Sequence, residues 1–204
     1  MAIAGHVGAV YIETTDPPAA FTKEATEANA YFTQYMIIDT TKRYWDKNSP
    51  VLVYVNDELV SNGFEIEHCG GVIVFEEALT SADTVTVSGM SVSVAQRGGF
   101  FNWSLELTSD TSDITTFHSD GWKENLTTIK GFTASAESYW GDSEFVQSFG
   151  KEVIIALYVD NTASKKRYEG YAVISSDGIE TAVDDIVNES IEFEGNGRLY
   201  YRED

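Results

Sequence analysis

Short apolar runs recur about every ten residues along the chain, with Gly, Asn and Asp between them. This spacing is typical of antiparallel sheets, because each run suits one strand and each separator suits a turn. No stretch keeps a helical period for long. The sequence therefore predicts an all-β protein with one short helix.

The first half of the chain contains predicted strands at residues 51–55, 64–67, 72–75 and 84–94. Turn-prone segments separate them, at 56–57, 61–63 and 70–71. The pair Pro17-Pro18 marks the end of a Gly- and Ala-rich start, and the alternating pattern stops at residues 96–99. We therefore predict an N-terminal arm at residues 1–17, a small β domain at 18–97, and a β-sandwich core at 98–204.

In the second half, residues 103–108 alternate between apolar and polar, as in a strand with one dry and one wet face. The segment 130–140 repeats the design, whereas 152–159 is apolar at both parities, which predicts a central strand that pairs with 168–175. The predicted helix begins at Asp142, places Phe145 and Phe149 on one face, and ends at Gly150. The chain is predicted to finish with a hairpin of residues 186–194 and 198–202 around a Gly-Asn-Gly turn.

Acidic residues outnumber basic residues by 33 to 13, which gives a formal net charge of -20. A surface of this sign repels nucleic acid, so the charge argues against proteins that grip phosphates. It does not argue against a protein past which DNA must slide. No run reaches the roughly 20 apolar residues of a membrane span, and the start lacks the pattern of a signal peptide. We therefore expect a soluble protein made in the cytoplasm that binds no membrane.

The search for catalytic chemistry yields few candidates. The three histidines lie far apart, and the adjacent His68 and Cys69 would point to opposite faces of a strand, so we expect neither a metal site nor a cofactor. Cys69 is the single cysteine, which excludes an intrachain disulfide. Glu192 and Glu194 could stand roughly 6–7 Å apart on one strand face, the spacing of a glycosidase pair, but any acidic strand shows it. We predict no enzyme.

The tryptophans have two interpretations. Rows of exposed aromatic side chains bind sugars or bases, whereas buried aromatic side chains pack in a core. Trp103, Trp122 and Trp140 lie on or beside predicted dry faces, which favours the core. Trp45 lies in a run that resembles an exposed connection.

The second half resembles the major tail tube proteins of long-tailed bacteriophages. The segments that carry this resemblance, taken together in order and spacing, are 101–107, 119–124, 129–140, 167–174 and 183–197. The resemblance implies two packed antiparallel sheets with a short helix at the flank. It further implies six copies in a ring, rings stacked with other tail proteins into a virion tail, and a genome that passes through without specific binding. The first half is longer than the family core requires.

A sheet with one dry face and one small, acidic, wet face suits the wall of a channel, because carboxylates repel phosphates. We predict that Thr133, Ser135, Glu137, Ser190, Glu192 and Glu194 face the lumen. The alternative is a β-sandwich binding module of a phage tail tip, a baseplate or a bacterial surface, which would recognise glycans through Tyr and Trp.

Overall fold

The structure, a computed structural model, describes residues 9–14, 16–96, 99–140, 144–161, 165–181 and 186–203. The chain forms two compact units: Tyr11–Gln96, here called the N-terminal unit, and Met1–Val10 with Arg97–Asp204, here called the C-terminal unit. The finer division at residues 17 and 97 stays a prediction. Strand β1 (Ala9–Glu13) runs from one unit into the other.

The N-terminal unit is built on a seven-stranded antiparallel sheet with the order β5-β4-β8-β2-β3-β7-β6. Its strands are β2 (Ala19–Ala28), β3 (Gln34–Ile37), β4 (Leu52–Val55), β5 (Glu58–Val60), β6 (Phe64–Glu67), β7 (Val72–Phe75) and β8 (Val85–Ser91). A short strand, β9 (Val94–Gln96), pairs with Tyr11, Ile12 and Glu13 of β1.

This sheet curls because its two edge strands are consecutive in the chain. Strands β5 and β6 lie at opposite ends of the strand order, and only residues 61–63 connect them. A chain that crosses four Cα steps reaches about 14 Å at most. The two edges must therefore come close together, which wraps the sheet around its apolar interior.

The interior of the N-terminal unit is a cluster of buried aromatic and branched side chains: Phe21, Tyr35, Ile37, Trp45, Val53, Ile73, Phe75, Val85 and Val87. Trp45 is fully buried, so the expectation that it lies in an exposed connection is wrong. It follows a 3₁₀ helix (Thr40–Lys42), and its indole N–H donates to the carbonyl of Lys42 at 2.8 Å. That bond satisfies the one polar atom of the ring, which lets the remainder fill the core.

The C-terminal unit is built on a second antiparallel sheet, with the order β10-β11-β14-β13-β12. Strand β1 follows beside β12, and β15 pairs with β13. The elements are β10 (Phe100–Asp113), β11 (Asn125–Tyr139), α1 (Glu144–Ser148), β12 (Glu152–Asp160), β13 (Lys166–Glu180), β14 (Asn188–Gly195) and β15 (Tyr200–Arg202).

Strand β12 is the central strand that its sequence predicts. Residues 153–157 are all buried, and Ile154, Ala156 and Leu157 are fully inaccessible. Its pairing with β13 across the loop after Asp160 is confirmed. The all-β class is confirmed as well, with two curled antiparallel sheets and one short helix. Within the described ranges, no helix is long and apolar enough to cross a membrane.

Two local predictions for this unit are wrong. Strand β15 does not form a hairpin with β14, because Tyr200–Arg202 pair with residues 167–169 of β13 instead. The helix is one short turn that ends before Phe149, whose side chain is exposed, while Phe145 is buried against Phe100. Gly150 follows with a φ of 72°, as a helix stop requires. The predicted cap Asp142 lies outside the described residues.

Candidate functional site: the polar face of strands β10, β11 and β14

The six residues predicted to line a channel lie together on one face of the C-terminal sheet. Strands β11 and β14 pair in antiparallel register as Thr133 with Glu194, Ser135 with Glu192, and Glu137 with Ser190. Each pair is directly opposite, so its two side chains stand on the same side of the sheet. The side chains of Thr133, Ser190, Glu192 and Glu194 are exposed, and those of Ser135 and Glu137 are half-buried.

Strand β10 extends this face by three residues that the predicted set omits. Asn102 lies opposite Glu137, Ser104 opposite Ser135, and Glu106 opposite Thr133. The Asn102 amide donates to the Glu137 carboxylate at 3.1 Å, and the Ser104 and Ser135 hydroxyl oxygens are 2.9 Å apart. We call the nine residues the polar face. The alternation along 103–108 indicates that the polar side chains of β10 share one face. Only the β10–β11 register places that face beside the six predicted residues.

The opposite side of the same strands is apolar and dry. Ala134, Ala136, Ile191 and Phe193 are buried between the polar-face residues in sequence. Because side chains alternate along a strand, this buried row fixes which side chains of β11 and β14 face outward. A one-residue slip of either strand would bury its carboxylates.

Phe132 anchors the end of this row against two glycines. A Cβ placed on Gly195 would lie 2.4 Å from the Phe132 ring, and a Cβ on Gly170 would lie 3.2 Å from its tip. The ring therefore lies against the backbone of β14, which pairs with β11, and of the next strand, β13. At position 195 only glycine leaves room for the ring.

The polar face carries four carboxylates and no basic side chain. Glu106, Glu192 and Glu194 surround a shallow depression of about 330 Å³ that is also lined by Ser104, Thr133 and Ser135. A glycosidase acid needs a dry pocket that raises its pKa, whereas Glu192 and Glu194 are both exposed. Carboxylates and hydroxyls in an open, wet row suit electrostatic repulsion of anions more than catalysis.

An aromatic pair bounds one end of the polar face. The rings of Phe101 and Tyr139 are 4.9 Å apart, and each side chain is about half exposed. Tyr139 has the same parity as Glu137 on β11, so it continues the row. Phe101 lies at the register shift between Phe100 and Asn102.

At the other end, β10 and β11 run on without a third strand. Strand β14 pairs with β11 only from Thr133 to Tyr139, so residues 108–113 and 125–131 form a two-stranded ribbon with the loop 114–124 at its tip. Residues 106–118 and 120–130 are all exposed. The ribbon and its base present these large apolar side chains to solvent: Leu107, Ile114, Phe117, Trp122, Leu126 and Ile129.

Solvent exposure corrects three assignments from the sequence, two of them at the ribbon and its base. Leu107 does not lie on a dry face, and Trp122 is not in the core, since they are 66% and 79% exposed. Trp140, at the opposite end of β11, is 45% exposed and also lies outside the core, while Trp103 is half-buried. The alternation of 103–108 does predict a strand, but no layer covers the far part of its apolar side.

Hydrogen bonds and an ion pair hold the tip of the ribbon at Asp113. The Thr115 backbone N–H donates to the Asp113 carboxylate at 2.9 Å. The Thr115 hydroxyl, and then this backbone bond, lower the pKa of Asp113. Lys123, 3.8 Å away across the loop, acts in the same direction. The tip is therefore a defined turn that holds its carboxylate in the charged form.

The model of a known family matches residues 82–201, more than half of the chain, and its description is phage tail tube protein. The chain belongs to the phage tail tube protein family. The matched span includes the whole polar face and the ribbon of this tail tube protein. Residues 1–81 lie outside it. The role that the family supports is structural.

Among solved structures, the tail tube protein is similar to a chain in the tail of an empty GTA particle, computed with helical refinement in C6 symmetry. The identity is 14%, the TM-score is 0.44, and the match covers 54% of this chain and 87% of the other. It is also similar to a chain in the virion of a native gene transfer agent particle, at 14% identity and a TM-score of 0.44, over 53% and 88% of the two chains. None of the curated proteins matches.

Proposed function

We propose that the chain assembles with copies of itself into closed rings, six to a ring, that stack into a phage tail tube whose channel is lined by the polar face. The observation that carries the proposal is the register of β11 on β14, which sets three polar pairs side by side above a dry apolar row. Such a sheet separates the two tasks of a tube wall. Its apolar face holds the subunit together, and its polar face is turned toward passing DNA.

The charge of the polar face supports passage of DNA without binding. Its four glutamates and five neutral polar side chains offer phosphates no cation to replace their counterions, so the main source of protein–DNA affinity is missing. Like charges repel over about 8–10 Å at ordinary ionic strength, which keeps a duplex away from the wall of a narrow channel. We infer that genomic DNA slides past this face in the virion tail, which is put together from subunits made in the host cytoplasm.

The ribbon supports assembly with further copies. A two-stranded ribbon is marginally stable in water by itself, and clustered exposed apolar side chains mark surfaces that bind another protein. Leu126, Ile129 and the tip residue Trp122 would be buried if the ribbon lies on a second subunit. Strand β10 is also an edge strand, and closure of several sheets into one barrel would pair that edge.

The assembly arm of the proposal is tested with purified protein by electron microscopy. The unmodified chain should form rings or tubes of uniform width, whereas Leu126→Ser with Ile129→Ser should stay as single subunits with an unchanged circular dichroism spectrum. Leu59→Ser serves as control, because Leu59 is an equally exposed leucine in the N-terminal unit. Discrete particles from the unmodified protein under all conditions would contradict the tube and favour the glycan-binding module.

The channel arm is tested by charge reversal. Tubes of Glu192→Lys with Glu194→Lys should hold linear DNA in a form that nuclease cannot reach, because the lysines would line the channel. Glu76→Lys with Glu77→Lys changes the charge equally at two exposed sites of the N-terminal unit and should protect no DNA. A map of the tube that places Glu137 and Glu192 in dry contacts between subunits would refute the channel assignment.

A further inference from the structure

We propose that Asn62 is a site of spontaneous deamidation, through its bond to Gly63, and that the fold protects the second Asn-Gly pair, Asn196-Gly197, from the same reaction. The two dipeptides are chemically identical and both are exposed. They differ in what their atoms contact. The inference does not depend on the proposed function.

Asn62 and Gly63 lie in the connection between β5 and β6 and are little restrained. In the described part of the chain, the Asn62 side chain and the Gly63 N–H have no hydrogen-bond partner. The connection is held by the Gly63 carbonyl, which accepts from the Glu76 N–H at 3.0 Å. Gly63 has a φ of 79°, and a Cβ built on it would meet no atom within 4 Å. The Asn62 side chain and the peptide that follows it are therefore free to rotate toward each other.

The reaction needs only water. The backbone nitrogen of Gly63 loses its proton and attacks Cγ of Asn62, the C–N bond of the side-chain amide breaks, and ammonia leaves. The product is a five-membered cyclic imide between the two residues. Water then opens the imide at one of its two carbonyls, which gives either aspartate or isoaspartate at position 62. Glycine favours the first step because it has no side chain beside the attacking nitrogen and few forbidden backbone angles.

Asn196, by contrast, is held through both its side chain and its backbone. Its side-chain amide donates to the Glu152 carboxylate, and its backbone N–H donates to the Tyr171 carbonyl at 2.8 Å. The amide must leave Glu152 before Cγ can meet the nitrogen of Gly197. The need to break such a bond to a charged acceptor first slows the reaction about tenfold or more, since each factor of ten corresponds to about 1.4 kcal/mol.

The consequence at position 62 is a new negative charge in an exposed connection and, for isoaspartate, one extra atom in the main chain. The side chain at 62 is exposed, so the thermal midpoint of the N-terminal unit should be unchanged. The modification would accumulate with the age of the protein and leave the fold intact.

The test is peptide mass spectrometry after incubation of the full-length protein in mildly alkaline buffer made with heavy-oxygen water, which labels each new carboxylate. We expect product at Asn62 at least about tenfold faster than at Asn196 in the folded protein. In urea the two rates should agree within a small factor, because both bonds join Asn to Gly and the residue after Asn dominates the rate in an unfolded chain. Glu152→Ala should speed the reaction at Asn196 alone, and Gly63→Ala should slow it at Asn62 alone.

Equal rates at the two sites in the folded protein would overturn the inference. So would an Asn62 that stays intact while the unfolded chain deamidates at that position. Digestion in ordinary water excludes product formed during sample handling, because only product formed during the incubation carries the heavy oxygen.

Discussion

Gly195→Ala tests whether the Phe132 ring lies on the backbone of β14 as the structure has it. The added methyl would stand 2.4 Å from two ring carbons and 2.8 Å from a third, well inside contact distance. The ring cannot easily yield, because it is 3% exposed and its tip already lies close to Gly170. Overpacking of this kind costs about 1–3 kcal/mol, while the stiffer unfolded chain returns about 0.4–1 kcal/mol. We expect a net loss of about 1–2 kcal/mol in the free energy of unfolding.

The assay is urea unfolding of the unassembled subunit, with hydrogen exchange of the β11 and β14 amides to assign the loss to the C-terminal unit. Gly178→Ala is the matched control, because Gly178 is an exposed glycine of β13 whose added Cβ would meet only the Ser190 carbonyl at an ordinary 3.8 Å. Its effect should stay within about 0.5 kcal/mol. Phe132→Leu in the Gly195→Ala background should recover part of the loss. Equal stability of Gly195→Ala and Gly178→Ala would refute the contact between the Phe132 ring and Gly195. Strictly additive effects of Gly195→Ala and Phe132→Leu would refute it as well.

Three further predictions concern buried groups. Glu169→Gln should destabilise the C-terminal unit by about 3–5 kcal/mol in urea unfolding, because the fully buried carboxylate bonds to two arginines at 2.6 and 2.7 Å. Glu203→Gln, which affects an exposed pair, should cost far less, and equal losses would contradict the buried cluster. Burial lowers the pKa of His68 against the opposing attraction of Asp46. The unfolded chain then takes up that proton first, so stability should fall as pH drops through about 6.5. His68→Gln should flatten this slope in thermal melts, and an unchanged slope would refute the assignment. Trp45→Ala should cost about 3–5 kcal/mol and Trp122→Ala almost nothing in the unassembled subunit, and similar losses would contradict their opposite burial.

The polar face shows how far sequence periodicity reaches. Alternation on 130–137 and 190–194 predicts the outward side chains of each strand, because a strand with one buried side has a period of two. The pairing of β11 with β14 is not local. Paired residues of the two strands are 49 to 61 positions apart in the chain, and their register depends on the apolar row that both bury.

The same limit explains the errors at the ribbon, at Trp45 and at β15. An apolar side chain in an alternating strand is buried only where other elements cover it, and β14 pairs with β11 only as far as Thr133. Trp45 follows a polar run, Lys42-Arg43-Tyr44, that resembles a surface connection, yet its indole enters the core because the Lys42 carbonyl accepts its N–H. The Gly-Asn-Gly turn predicts a reversal of the chain but not the partner, and Glu169 of β13 draws Arg202 to its own strand.

The sequence by itself determined the all-β class, most strand positions, the acidic charge and the alternation that marks one wet face, since each follows from neighbouring residues along the chain. Only the tertiary structure decided which strands pair, which apolar side chains find a cover, and that the glutamates of three separate strands share one surface. Those properties arise from contacts between distant segments, whose free energy depends on packing that no local pattern records.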